Sequence, residues 1–178
     1  MAEDKMNLEL LSLKENKCFG CGPENRYGLR ISVHRDLLNA NRIVGEFHPS
    51  EYMTGFPGIT HGGAIYTALD CMATWSGMAL RKTKAIWMLR SSTMTYHRPA
   101  FQGKPISLSA VIEKKGAEWD AIEVHGEAHN PEGNLLADGL FKVIPVAPDK
   151  FMAMTGIDKL PEGLADWLDD SNSNLFNT

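Results

Sequence analysis

Apolar and polar residues alternate at every second position in four segments of the chain, which is the period of a strand covered on one face. These segments are residues 29–34, 43–48, 106–113 and 119–129, and two further strands are predicted at 87–97 and at about 135–146. The strand predicted at 87–97 stops before Pro99, which cannot donate a ladder hydrogen bond. Six strands are therefore predicted, with turns rich in Gly, Asn and Pro between them.

A helical pattern separates the second and third predicted strands. It begins at Thr60 and continues to about Arg81. We expect Thr60 to cap this helix, with its hydroxyl accepting a hydrogen bond from the Gly63 N–H. The order of two strands, one long helix and four strands predicts a single α+β domain over residues 18–147.

The two ends of the chain fit this pattern less well. Residues 1–17 are interpreted as an N-terminal arm, either frayed or a short helix, and residues 148–178 as a C-terminal appendage. Within the appendage, a weak helix is predicted over about 160–169.

Size and charge narrow the classes of protein to consider. The 178 residues suit one domain, and a net charge of −4 gives no global attraction to nucleic acid or to an anionic membrane. The longest apolar stretch, residues 64–80, contains Asp70 and is shorter than the roughly 20 residues of a membrane span. The acidic N-terminus does not resemble a secretory signal. We expect a cytoplasmic protein without nucleic-acid or membrane partners.

Asp70 is the one fully charged residue between Glu51 and Arg81. It lies on a helix face with Gly63, Tyr66, Thr74 and Gly77, opposite the apolar face, which comprises Ile65, Ala68, Leu69, Met72, Ala73, Ser76 and Leu80. A helix without a charged solvent face is usually surrounded by protein, here a curved sheet or a second subunit. A carboxylate in that setting is either hydrogen-bonded structurally, for example by Thr74 or Tyr66, or used in chemistry.

The segment His61-Gly62-Gly63 occupies the first turn of the predicted helix, where backbone N–H groups lack intrahelical partners. Without Cβ atoms, the Gly62 and Gly63 amides could receive a carbonyl oxygen or an oxyanion, although close packing against the sheet also explains two glycines. Asp70 lies about 12 Å along the helix from Gly62. If both groups serve one site, they come from different chains.

These residues resemble a known family. Pro57-Gly58-Ile59-Thr60-His61-Gly62-Gly63 followed by Leu69-Asp70 is similar to the helix signature of PaaI-type hotdog-fold acyl-CoA thioesterases of the 4HBT superfamily. Cys18-Phe19-Gly20-Cys21-Gly22-Pro23 and Thr95-Tyr96-His97-Arg98-Pro99 also resemble segments of this family. The resemblance covers residues 18–146 and implies a hotdog fold, with a long central helix wrapped by a curved antiparallel β-sheet. It also implies a homodimer or homotetramer, that is, a dimer of dimers, with sites between subunits.

The resemblance also implies roles for individual residues. The Gly62 N–H, next to His61, would bind the thioester carbonyl, and Asp70 of the partner subunit would act as general base or nucleophile. Substrate contacts are expected from Gly63, Thr74, Leu89, Arg90 and Ser91. In some relatives a hydroxyl on the strand after the helix assists, and here Met88 and Leu89 stand nearest to that place, with Ser91 and Ser92 slightly beyond. No cofactor is implied.

The cysteines offer a second kind of chemistry. Cys18-x-x-Cys21 has the spacing of half a zinc site or of a redox pair, but no second such motif completes four ligands. We therefore expect a turn with two small residues and no metal, and a buried structural thiol at Cys71. Basic residues near the helix end could meet coenzyme A phosphates or simply complement the helix dipole; they are Arg81, Lys82, Lys84, Arg90 and Arg98.

The leading hypothesis is hydrolysis of a small or medium acyl-CoA or of an aryl-CoA thioester. A non-catalytic acyl-CoA-binding or regulatory hotdog module is the alternative, and Asp70 argues against it because a binder needs no carboxylate beside the thioester. A hotdog dehydratase or hydratase ranks last, since its paired His and acid do not accompany Asp70 in the helix.

Overall fold

A computed structural model describes residues 8–169. Seven strands form one antiparallel sheet in the order β1-β2-β3-β7-β8-β9-β6, and a short hairpin, β4 and β5, stands apart from it. The strands of the sheet are β1 (Leu8–Leu11), β2 (Ser32–Asp36), β3 (Arg42–Phe47), β6 (Ile86–Tyr96), β7 (Ile106–Lys115), β8 (Ile122–His129) and β9 (Leu135–Val146). The hairpin consists of β4 (Thr54–Phe56) and β5 (Ile59–Thr60), and the helices are α1 (Gly62–Leu80), α2 (Pro148–Thr155) and α3 (Glu162–Leu168).

The six predicted strands and the long helix are confirmed, with ends shifted by a few residues. Three elements differ from the predictions. Residues 8–11 are a strand that pairs with β2, not a helix, and Leu11 in it is buried. The segment between β3 and α1, for which no helix or strand was predicted, contains a turn of 3₁₀ helix (Glu51–Met53) and the β4-β5 hairpin. The helix α2 was not predicted, because its few apolar residues form no sustained stripe.

The sheet packs around α1. Nearly the whole predicted apolar face of this helix is buried, with Leu69, Met72 and Ser76 fully enclosed against strands β3, β7, β8 and β9. Ser76 satisfies its hydroxyl by donating to the Met72 carbonyl at 3.0 Å. Burial of such a continuous apolar stripe is the main stabilising contribution to the fold.

Gly77 marks a close approach between α1 and β6. A Cβ atom placed there would lie 2.3 Å from the ring of the buried Trp87. We expect Gly77→Ala to lower the free energy of unfolding by about 1–3 kcal/mol through overpacking, as measured by urea denaturation. If the clash is the cause, Trp87→Leu will cost less in the Gly77→Ala background than alone; additive costs would contradict this explanation.

The C-terminal segment covers part of the helix that the sheet leaves open. Trp167 of α3 contacts Trp75 of α1 edge to face, with ring centroids 5.4 Å apart. Gly163 of α3 lies against the backbone of Lys14, and Lys14 forms an ion pair with Asp166 at 2.9 Å. The predicted helix over 160–169 is therefore confirmed, and it packs on the domain.

Every helix within residues 8–169 is too short or too polar to span a membrane.

Candidate active site

The start of α1 is capped by His61, not by Thr60 as predicted. His61 has extended backbone angles, and its Nδ1 accepts a hydrogen bond from the Gly63 N–H at 2.8 Å. Thr60 instead belongs to β5, where its buried hydroxyl has no hydrogen-bond partner within the described part of the chain. The hairpin places the His61 ring over the helix end. The imidazole therefore accepts the hydrogen bond from the Gly63 N–H that a threonine cap would have accepted. One N–H of the glycine pair is thus already engaged.

The Gly62 N–H is the one left available. Among residues 8–169 it has no hydrogen-bond partner, and it stands at the first position of a 19-residue helix, where the dipole favours negative charge. The Gly62 carbonyl accepts from the Tyr96 hydroxyl at 3.0 Å. This bond fixes the orientation of the peptide group next to the free amide.

An open cleft of about 630 Å³ lies in front of this helix end. Gly62 and His61 line it together with Phe56, Tyr96 and Arg98. A free amide with a rigid backbone, bordering a partly apolar cleft, can bind a carbonyl oxygen and stabilise the charge that develops on it. Tyr96 is a part of this site that the sequence analysis did not identify, although it belongs to a segment that carried the family resemblance.

Asp70 lies away from this cleft, in the middle of α1. Its side chain is half-buried and receives neither a hydrogen bond nor an ion pair from any described residue. Desolvation raises the pKa of the Asp70 carboxyl, and the negative charge of Cys18 raises it further. The structural interpretation is not supported by Thr74 or Tyr66: Thr74 donates to the backbone carbonyls of Asp70 and Cys71, and Tyr66 bonds to Ser92.

The face of α1 that carries Asp70 points toward β6, the last strand of the sheet. Tyr66, one turn before Asp70, bonds through its hydroxyl to Ser92 at 2.8 Å, and Gly77, two turns after it, packs on Trp87. Asp70 thus stands beside an 11-residue strand whose outer edge has no partner within the described chain. A second protein segment added to that edge would come close to the carboxylate.

The other predicted site residues fall into two groups. Thr74 lies near Asp70, and Leu89 packs against the core. Arg90 is the extra residue of a β-bulge, and Ser91 lies on the outer sheet face in a groove with Glu123 and Lys142. Ser92, on the opposite side of the strand, is the hydroxyl that faces α1. The bulge shifts the alternation by one residue, which sequence periodicity alone does not reveal.

The basic residues also separate. Arg98 lines the cleft in front of Gly62. Arg81 lies at the opposite end of α1, about 28 Å away along the helix axis, and donates to the carbonyls of Gly116 and Ala117. Within one chain, Arg98 is therefore placed to meet a ligand bound at the helix start, whereas Arg81 has a structural role.

Histidine side chains form a second polar cluster on the outer face of the sheet. His97 and His125 both contact the Asp138 carboxylate, at 2.5 and 3.2 Å. The hydrogen bond from His97 is the largest cause of a lowered pKa at Asp138. No residue of this cluster lies near Asp70 in the sequence or faces α1, so we interpret it as a surface network that joins β6, β8 and β9.

Comparison with known proteins supports the resemblance drawn from the sequence. Residues 57–137 match the family model of the Thioesterase superfamily. Comparison with curated protein sequences gives no match. The matched segment includes the helix start, Asp70, and β6 with both of its neighbouring turns.

Solved structures with the same fold include three informative examples. The PaaI protein of the phenylacetic acid degradation operon of E. coli superposes with a TM-score of 0.58 and 16% identity, over 67% of this chain and 81% of that one. A phenylacetic acid degradation-related protein from Ralstonia eutropha gives 0.59 and 20%, over 65% and 85%. A Streptococcus mutans protein bound to acetyl-CoA gives 0.55 and 12%, over 79% and 90%. The predicted hotdog fold is confirmed.

Proposed function

We propose that this hotdog-fold chain, which is similar to PaaI-type thioesterases, hydrolyses acyl-CoA thioesters in sites shared between two copies. The observation that carries the proposal is the free Gly62 N–H, held at the start of a long helix and open to a cleft. In thioester hydrolysis, negative charge develops on the carbonyl oxygen, and a fixed amide at a helix N-terminus is suited to stabilise it.

Asp70 of the partner subunit supplies the second group. As a general base it takes a proton from water as the water oxygen attacks the carbonyl carbon; as a nucleophile it forms a mixed anhydride that water then opens. In either route the carbon–sulfur bond breaks, coenzyme A leaves as the thiolate and is then protonated, and the acid is released. The Asp70 carboxylate is half-buried and has no partner among residues 8–169, which fits such a role better than a structural one.

The open edge of β6 is the place where a second copy would join. Unpaired strand edges readily add a further strand, and β6 has 11 residues with no proline or lysine. The contacts between β6 and α1 support one register for this pairing. The helix start lies at the level of Tyr96, while Asp70, about a third of the way from Tyr66 to Gly77, lies near the level of Arg90. An antiparallel pairing that places Arg90 of one copy opposite Tyr96 of the other is centred on Thr93.

This register predicts a specific cross-link. In a pairing centred on Thr93, the two copies of this exposed residue face each other across the two-fold axis. Directly opposed residues in antiparallel strands have Cα atoms about 4.5–5.5 Å apart, which suits a disulfide. We expect Thr93→Cys to form a covalent dimer under mild oxidation, measured on a non-reducing gel.

Thr95→Cys is the matched control for this cross-link. Thr95 points to the same sheet face two residues further along, so its two copies would lie about 14 Å apart in the same register. The native cysteines are common to both variants and to the wild type. Equal cross-linking of the two variants would contradict the Thr93 register, and a monomer in solution would contradict the shared site.

The substrate we propose is a small or medium acyl-CoA or an aryl-CoA. The cleft presents Phe56, Ile65 and Tyr96 for an apolar or aromatic acyl group and Arg98 for a phosphate. The similar structures linked to phenylacetic acid degradation support an aryl-CoA, and the one bound to acetyl-CoA supports a small acyl-CoA.

Release of free thiol from a panel of short, long and aromatic acyl-CoAs tests the function. We expect turnover with at least one short or aromatic member. A protein that binds acyl-CoA but releases no thiol from any of them would favour the non-catalytic binding module instead.

A further inference from the structure

The fold brings all three cysteines of the chain together, which their sequence positions did not indicate. Cys18 and Cys21 lie in the segment before β2, and Cys71 lies on α1, yet their three sulfur atoms are within 4.8 Å of one another. We propose that this cluster is a thiolate site for a zinc ion. Coordination by three protein ligands leaves a fourth position for water, on the side where Cys18 is exposed.

The sulfur spacing fits metal coordination. At a Zn–S distance of about 2.3 Å, two sulfurs of a tetrahedral site lie about 3.8 Å apart. The Sγ atoms of Cys18 and Cys71 are separated by 3.8 Å. A disulfide would require the same two atoms to approach to about 2.05 Å. The Cys18 and Cys71 sulfurs therefore stand at the separation that a shared metal ion requires, and the Cys21 sulfur lies within 4.8 Å of both.

Hydrogen bonds also fix the conformation of the loop that contains Cys18 and Cys21. The Gly22 N–H donates to the Cys18 carbonyl at 3.0 Å, and the Cys18 N–H donates to the Asn16 side chain at 2.9 Å. The Asn16 amide reaches the Cys21 sulfur at 3.6 Å. Such donors stabilise a thiolate, which is the form that binds metal.

Gly20 provides a second, independent sign that the loop and α1 meet at this point. A Cβ atom at Gly20 would lie 2.3 Å from the Cys71 sulfur. Only glycine allows the turn to approach the helix this closely, and the approach is what adds the third sulfur to the Cys18-x-x-Cys21 pair. On binding, a divalent cation would displace the remaining thiol protons and neutralise the charge of three thiolates that are crowded in a partly buried place.

Metal content tests the proposal without any measurement of activity. Tag-free protein, kept reduced with a phosphine, is loaded with one equivalent of Zn²⁺, separated from free metal and analysed by mass spectrometry for zinc. Affinity is measured by competition with a chromogenic chelator. We expect one zinc per chain. Loading with Co²⁺ in its place should give a thiolate-to-cobalt charge-transfer band and the visible bands of a tetrahedral ion.

Cys18→Ser removes the exposed ligand and spares the core. It should weaken zinc binding by more than about 100-fold, since even loss of an outer partner of a ligand costs about 10- to 100-fold. Phe19→Leu, in the same loop, is the matched control and should bind as the wild type does. Zinc should raise the Tm of the wild type and not that of Cys18→Ser.

Two results would overturn the proposal. One is equal zinc affinity in the wild type and in Cys18→Ser. The other is a Cys18–Cys71 or Cys18–Cys21 disulfide in protein isolated without reductant, together with no zinc uptake after reduction. Neither result bears on thioester hydrolysis, so the two proposals succeed or fail separately.

Discussion

Asp70→Asn is expected to lower the rate of thiol release by about 10²- to 10⁴-fold, the usual contribution of a positioned general base. The replacement keeps the size and shape of the side chain and removes its ability to accept a proton or to attack the thioester. The measurement is kcat and kcat/KM for the best acyl-CoA of the panel, at matched oligomeric state.

Stability distinguishes this role from a structural one. The Asp70 carboxylate is half-buried and has no partner in the part of the chain that the structure describes, so a neutral amide is no worse in its place and avoids the cost of desolvating a charge. We expect Asp70→Asn to leave the Tm unchanged or to raise it while activity falls, the pattern of a residue retained for function at a cost in stability. Asp158→Asn, at an exposed position near the C-terminal end, serves as the control.

A drop in Tm with Asp70→Asn, at unchanged activity, would contradict the catalytic assignment. It would mean that the carboxylate accepts stabilising hydrogen bonds in the assembled protein. Loss of activity together with loss of acyl-CoA binding would also count against the proposed role, since a proton acceptor acts on the reacting atoms and is not needed for ground-state affinity.

The sequence predicted the main elements because their signals are local. Two-residue alternation specifies β7 and β8, and the lack of charge around Asp70 indicates an enclosed helix. The prediction that Thr60 caps the helix was wrong because the cap depends on a neighbouring element. The β4-β5 hairpin includes Thr60 as a strand residue and places His61 over the helix end. Propensity ranks threonine above histidine as a cap, and tertiary structure reverses the order.

Long-range proximity accounts for what the sequence could not show. Cys71 is 53 residues from Cys18, and only the turn at Gly20 brings them together. Likewise, the bulge at Arg90 turns Ser92 toward Tyr66 and Ser91 away from α1. Both features depend on how distant segments pack together, so the pattern of apolar and polar residues along the sequence predicts neither of them. The sequence predicts the candidate site as a set of residues, whereas the positions of those residues relative to one another depend on the fold.

Removing one backbone N–H tests the oxyanion donor directly. Gly62→Pro replaces the amide hydrogen with a ring carbon and is compatible with the helix, because proline is favoured at the first position of a helix. The residue before it, His61, already has φ −61° and ψ 134°, the extended conformation that proline prefers in its neighbour. We expect thiol release to fall by about 10²- to 10³-fold, as for loss of one such donor elsewhere.

Gly62→Ala is the control that distinguishes loss of the amide hydrogen from steric crowding at this position. This variant keeps the N–H and adds a Cβ atom 3.2 Å from the ring of Tyr96, a contact that a shift of a few tenths of an ångström relieves. Its rate should stay within about tenfold of the wild type, a change of about 1.4 kcal/mol in the barrier. If both variants lose the same activity, crowding against Tyr96 explains the loss and the N–H is not the donor. A loss confined to Gly62→Pro assigns the effect to the position of the amide hydrogen, because Gly62→Ala shows that the added Cβ atom is tolerated beside Tyr96.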